Sequence, residues 1–269
     1  MAQAASAKRI VIKVGTSTIT HINGAANIRL IERLCRVLAD ISNSGREIVL
    51  VTSGAVGVGL GRLGISERPS EIAMRQAMAA VGQCELMFLY DKLFSEYGKN
   101  CAQVLLTGDI VDQQGRREHV TNCINALLGL GIIPIINEND ATSVEELEGS
   151  NIGDNDNLSA IVARLIQADT LIMMTDSDGL YDRDPHTEPD AVKLPVVLEI
   201  NDSVRALAGG TVSKRGTGGM VTKLSAAQSA CEAGIDTYIM SGEKPERIYD
   251  LLDGVSVGTH FVARRKQTN

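Results

Sequence analysis

Short apolar runs recur along this chain: RIVIKVG (Arg9–Gly15), EIVLVTSGA (Glu47–Ala55), AQVLLTG (Ala102–Gly108), IIPIINEND (Ile132–Asp140) and TLIMMTD (Thr170–Asp176). They are continuous where an exposed strand would alternate, rich in branched or long aliphatics, and closed by small, hydroxyl or acidic residues. This is the pattern of strands buried on both faces. Between them lie segments of helical period: Asn27 to Ser42, with Ile28, Ile31, Leu34, Cys35, Leu38 and Ile41 in phase, then Arg75 to Tyr97, Arg116 to Leu130 and Asn157 to Gln167. Strands alternating with helices predict an α/β fold with a mainly parallel sheet covered on both faces. No internal repeat or Pro-rich linker divides the 269 residues, so one domain or two closely packed halves is expected.

Charge and cysteine usage exclude several function classes. A formal net charge of −7 argues against a nucleic-acid partner, because the basic cluster is confined to Arg264, Arg265 and Lys266 at the chain's end. The five cysteines, Cys35, Cys84, Cys101, Cys123 and Cys231, are odd in number and widely spaced. They form neither a disulfide framework nor a paired-cysteine zinc site, and reduced thiols in a cytoplasmic setting are expected. MAQAASAKR lacks the apolar stretch of a signal peptide, and no run is long enough to cross a bilayer, so no membrane partner is expected.

In open parallel sheets ligands sit beyond the carboxyl ends of the strands, which directs attention to the loops there. GLGRLG (Gly59–Gly64) matches GxGxxG, but it starts several residues after its strand and runs toward Pro69 without an evident helix. The dinucleotide motif requires strand, loop and helix in immediate succession. GTGGMVTKLSAA (Gly216–Ala227) is not a Walker A loop, since Thr222 precedes Lys223 where glycine is required. It still places N–H donors and a lysine at the start of a helical run, suiting either an anion site or a glycine hairpin tip before a surface helix. Lys13, near the end of an apolar strand, is either paired with an anion or snorkelling at an edge. IGDNDNLSA (Ile152–Ala160) places Asp154, Asn155, Asp156 and Asn157 at a helix start, more than capping alone requires. TDSDGLYDRDP (Thr175–Pro185) is an acidic turn that could also be a solvated loop. His21, His119, His186 and His260 show no ligand spacing and read as surface or structural residues.

Taken together and in order, KVGTSTIT, VTSGAVGVG, IPIINENDA, GDNDNLSA, TDSDGLYDRDP and GTGGMVTKLSAA resemble the amino-acid kinase family, and within it the members that phosphorylate free glutamate. The resemblance runs from Lys8 to about Phe261. It implies a three-layer αβα sandwich with an open, mainly parallel central sheet. A first half, about residues 8–170, would bind glutamate, and a second, about 171–262, would bind ATP. The implied reaction is Mg²⁺-dependent transfer of phosphate from ATP to the γ-carboxylate of L-glutamate, giving L-glutamyl 5-phosphate, the first step of proline biosynthesis. A carboxylate nucleophile is already ionised at neutral pH, so no general base is needed.

Carried over residue by residue, the resemblance assigns Lys13 and Lys223 to the transferring phosphoryl group and Asp156 to holding both lysines. Ser53, Asp140 and Asn155 match glutamate-binding positions, with Gly54 and Ala55 supplying backbone; Asp140 would receive the α-amino group. Lys13, Thr175, Asp176 and the run Thr217, Gly218, Gly219, Met220, Val221, Thr222 and Lys223 match the ATP site. The metal ligands stay unassigned. Thr16 stands where serine is common in the family and keeps the hydroxyl. A homo-oligomer, dimer or tetramer, is expected by likeness. Many bacterial members carry an additional C-terminal domain of the kind found in RNA-modifying enzymes; with Asn269 the last residue there is no room for it, which weakens the expectation of feedback inhibition by L-proline. The alternatives are a sister kinase acting on N-acetylglutamate or aspartate, disfavoured by TSGAVG with NENDA, and a non-catalytic amino-acid sensor, which would be free to lose Lys13, Asp156 or Lys223.

Overall fold

The structure, a computed structural model, describes residues 2–107, 114–142, 155–185, 187–208 and 219–264. After a short helix α1 (Ala2–Ser6), strand β1 (Arg9–Val14) enters the centre of the sheet and leads into α2 (Thr16–Ile19), α3 (Ile28–Asn43) and β2 (Glu47–Val51). Helices α4 (Ala55–Leu63) and α5 (Ile72–Glu96) follow, then β3 (Cys101–Leu106), α6 (Gln114–Gly129), β4 (Ile133–Glu138), α7 (Asn155–Leu165) and β5 (Thr170–Thr175). The remainder is β6 (Val196–Val197), α8 (Asp202–Leu207), α9 (Met220–Glu232), β7 (Asp236–Ser241), α10 (Arg247–Leu252) and β8 (Thr259–Phe261).

Among the described residues these strands form one sheet in the order β3-β4-β2-β1-β5-β7-β8-β6. Every pair is parallel except β7 with β8. The chain builds outward from β1 through β2, β4 and β3, then crosses back through α7 to place β5 on the other flank of β1. That reversal opens a crevice at the carboxyl ends of β1 and β5.

Period-two alternation assigns each strand residue to a face. Ile10, Ile12 and Val14 join Ile48 and Leu50 in a core packed by α3, α5 and α10, while Val11 joins Val49, Val51, Leu171 and Met173 in a second core packed by α7 and α9. Both faces being dry explains the unbroken apolar runs of the sequence. α3 buries Ile31, Leu34, Cys35, Leu38 and Ile41 on one stripe, whereas Ile28, in phase with them, remains 57% exposed at the first turn. Lys13 shares the face of Val11, and so points toward α7 and α9.

The reading of Gly59–Gly64 as lacking a helix is corrected by the structure: Ala55–Leu63 is α4, starting directly after β2. Its glycines look unfavourable for a helix when taken alone. Gly61 is required by close approach to the Gly24–Ala25 backbone, and Gly59 by contact with α5. A Cβ on Gly59 would stand 2.0 Å from the Met78 carbonyl oxygen, and one on Gly82 would stand 1.8 Å from that of Ala55. The two backbones therefore touch where any side chain would hold them apart.

Candidate active site

Three charged side chains converge over the end of β1. Asp156, in the first turn of α7, is fully buried; its Oδ1 lies 2.5 Å from Lys13 Nζ and its Oδ2 lies 3.1 Å from Lys223 Nζ. Both lysines are themselves buried, at 5% and 8% exposure, which leaves the solvent-snorkelling alternative for Lys13 without support. Burial alone would raise the Asp156 carboxyl, but the charges of the two lysines and their hydrogen bonds outweigh it and hold the group down at about 2. Two cations against one anion leave a net positive charge in a dry site, which suits an incoming polyanion.

Thr222 adds a fourth partner. Its Oγ1 lies 3.0 Å from Asp156 Oδ2 and 2.9 Å from the Gly219 carbonyl oxygen, so this side chain is turned inward onto the aspartate. Gly219 caps α9, Met220 is partly buried and Val221 is 58% exposed. Thr217 and Gly218, like Ile152 to Asp154, lie outside the described residues. At the end of β5, Thr175 Oγ1 donates to Asp176 Oδ1 at 2.8 Å. The acidic turn beyond is folded back on itself: Asp178 accepts from Tyr181 and pairs with Lys193, and Val192 N–H donates to Asp182.

On the other side of Lys13, the turn from β2 into α4 passes through Gly54 at φ +88°, a left-handed conformation that a side chain would strain. It faces a cavity of about 550 Å³ lined by Thr16, Gly54, Ala55, Asp140 and Asn155, with Arg68, His21 and Asn23 toward its rim. Four of the five residues assigned to glutamate thus share one cavity. The fifth, Ser53, is not in its lining: its hydroxyl donates to the Val14 carbonyl at 3.0 Å and sits 3.3 Å from Thr16 Oγ1, tying the ends of β1 and β2. Asn155 is 5% exposed, and its Oδ1 has no hydrogen-bond partner among the described residues. Beneath the cavity, Asn137 donates to Gln83 at 2.8 Å, and Thr52 and Tyr90 hydroxyls meet at 2.9 Å.

Sequence reasoning missed Arg68, Asn23 and the position of His21 at this cavity. All three sit in exposed loops with no periodicity or motif to single them out. His260, by contrast, is the structural residue expected: buried, 2.7 Å from Asp236 and stacked on Tyr238. All five cysteines are free, Cys35 and Cys231 within the cores.

A parallel sheet with this crossover, and two lysines bridged by a buried aspartate at its carboxyl edge, define a phosphoryl-transfer fold of one kind: the chain belongs to the amino acid kinase family, whose sequence model matches residues 8–241. Within that family it is similar to proteins named glutamate 5-kinase. The one from Clostridium perfringens is 53% identical over 259 residues, covering 96% of each chain, and the one from Listeria innocua is 51% identical, covering 97% of this chain and 95% of that one. Among solved structures, an isopentenyl phosphate kinase from T. acidophilum superposes with a TM-score of 0.63 at 18% identity, over 94% of this chain and 99% of that one. UMP kinase from Bacillus anthracis gives a TM-score of 0.63 at 16% identity, over 96% and 97%. At that identity the likeness speaks for the fold.

Proposed function

We propose that this chain transfers the γ-phosphoryl group of ATP to the γ-carboxylate of L-glutamate, forming L-glutamyl 5-phosphate and ADP, the first step of proline biosynthesis. One observation carries the reading: the Lys13–Asp156–Lys223 bridge lies beside a cavity roomy enough for an amino acid, lined by the buried Asp140 and Asn155. Identity near one half to proteins named glutamate 5-kinase supports the choice of glutamate over N-acetylglutamate or aspartate. A non-catalytic sensor is disfavoured because all three charged residues are present and paired.

The chemistry asks little of acid or base. The γ-carboxylate, with an ordinary pKa of about 4.3, is ionised at neutral pH, and its oxygen forms the new O–P bond as the bond from γ-phosphorus to the bridging oxygen of ADP breaks. The obstacle is anion meeting polyanion, and the two lysines offset it from positions that Asp156 keeps fixed. Residues about 8–170 hold the amino acid, with Asp140 and the Asn155 carbonyl oxygen receiving the α-amino group. Residues about 171–262, including Thr175, Asp176 and the Gly219 to Lys223 turn, hold the nucleotide. Both Asp156 oxygens are committed to lysines, so these residues fit a magnesium ion carried in by the nucleotide's phosphates and water. When bound, the ion supplies further charge neutralisation.

The test is acyl-phosphate trapping as hydroxamate with ATP, Mg²⁺ and L-glutamate. Turnover with N-acetylglutamate or aspartate and none with glutamate would overturn the substrate; no turnover with any would favour the sensor. Lys223→Ala is expected to lower kcat about a hundredfold or more while leaving the Kd for glutamate near its starting value. The same reading includes a dimer or tetramer, inhibition by L-proline and a cytoplasmic location, checked by light scattering, by proline in the assay and by fractionation. Among the described residues no helix is long and apolar enough to cross a membrane.

A further inference from the structure

We infer that Arg68 reads the α-carboxylate of the acceptor amino acid and so makes the enzyme select an α-amino acid over a simple γ-amino carboxylate. The inference rests on the proposed function and specifies how its acceptor cavity is polarised. At the inner wall Asp140 and the Asn155 amide oxygen, which has no hydrogen-bond partner among the described residues, are acceptors, which together suit an ammonium group. A free amino acid also brings an α-carboxylate on the same carbon, and that charge needs a cation within the same cavity. Of the cavity's lining, Arg68 is the residue with a permanent positive charge.

Arg68 is also uncommitted. It makes no ion pair among the described residues, whereas Arg9, Arg33, Arg36 and Arg183 each do. It belongs to the loop joining α4 to α5, two helices whose backbones meet at Gly59 with Met78 and at Gly82 with Ala55, and this loop lines the cavity. A planar guanidinium matches a carboxylate with two parallel hydrogen bonds, a geometry that lysine cannot reproduce.

The experiment uses the purified full chain with ATP and Mg²⁺, comparing L-glutamate with 4-aminobutyrate, which keeps the reacting carboxylate and the amino group but lacks the α-carboxylate. Arg68→Ala is expected to lower kcat/KM for glutamate about ten- to hundredfold, mostly through KM, and to leave that for 4-aminobutyrate within about twofold. Arg68→Lys should recover only part of the loss. Calorimetric titration supplies a readout that needs no turnover of the poor substrate: the Kd for glutamate rises about tenfold or more in Arg68→Ala. An unchanged glutamate Kd, or equal losses for the two acceptors, overturns the inference. Wild-type protein that forms no hydroxamate from glutamate fails the proposed function instead, and the two failures are thereby distinguished.

Discussion

At the scale of single residues, Asp156 organises the site because each of its oxygens has a different cation to hold. Oδ1 faces Lys13 on β1 and Oδ2 faces Lys223 on α9, so rotation of the carboxylate would sacrifice both pairs. Thr222, assigned from the sequence to the nucleotide, has its hydroxyl on Oδ2, where it opposes that rotation. Thr222→Val, which keeps the shape and removes the hydroxyl, is expected to lower kcat about tenfold with little change in KM for glutamate, and Thr222→Ser to restore it. If Lys223→Ala is already present, adding Thr222→Val should cost almost nothing further, since the threonine acts through the pair that the lysine completes. Equal losses in both backgrounds would show that Thr222 acts elsewhere.

At the scale of elements, the contact of α4 with α5 sets the acceptor cavity. The N-terminal turn of α4 forms one wall, and its direction is determined where Gly59 and Gly82 let the backbones meet. Gly82→Ala would place a methyl 1.8 Å from the Ala55 carbonyl oxygen, and α4 would have to shift. The expected result is a loss of about 1–3 kcal/mol in urea unfolding, with a raised KM for glutamate and a nearly unchanged KM for ATP. A stable variant with unaltered KM would mean that α4 tolerates displacement. Gly98, with nothing near its missing Cβ but φ at +66°, marks a different kind of requirement, conformational and without close packing.

At the scale of the whole molecule, the buried Asp156 links the central strand, α7 and α9, and its titration should appear in global stability. Its folded-state value of about 2 lies below the ordinary 3.8, so between these values the unfolded chain binds more protons. The contribution is therefore complete above about pH 4 and lost as pH falls toward 2. Denaturant titrations of wild type are expected to show that loss, and Asp156→Asn to lack its share of it. The variant should also be about 3–5 kcal/mol less stable at pH 7, because two buried lysines lose their counter-charge. If wild type and variant fall in parallel from pH 4 to 2, the ion pairs do not contribute as described.

Much of this architecture is legible in the chain because its signals are local. Two-sided burial leaves continuous aliphatic runs, the helices show their period, and Lys13 in β1, Asp140 in the loop after β4, Asp156 at the start of α7 and Lys223 at the start of α9 stand out as conspicuous polar residues. Resemblance to a kinase family rests on the motifs around them taken in order, from KVGTSTIT to GTGGMVTKLSAA. Other features depend on partners distant in sequence, and no local pattern encodes them. The glycines of Gly59–Gly64 look like a loop until α5 is laid across them. That the Ser53 hydroxyl donates to the Val14 carbonyl is not visible in TSGAVG. Arg68 is one exposed arginine among many until the α4 to α5 loop brings it to the cavity that Asp140, just past the end of β4, also lines. By itself the sequence determined the class of fold and the charged residues around which chemistry is built. Which oxygen each lysine meets, which hydroxyls are already bonded and where the cavity opens were decided only by packing, because those depend on distances between segments whose separation along the chain says nothing about their separation in space.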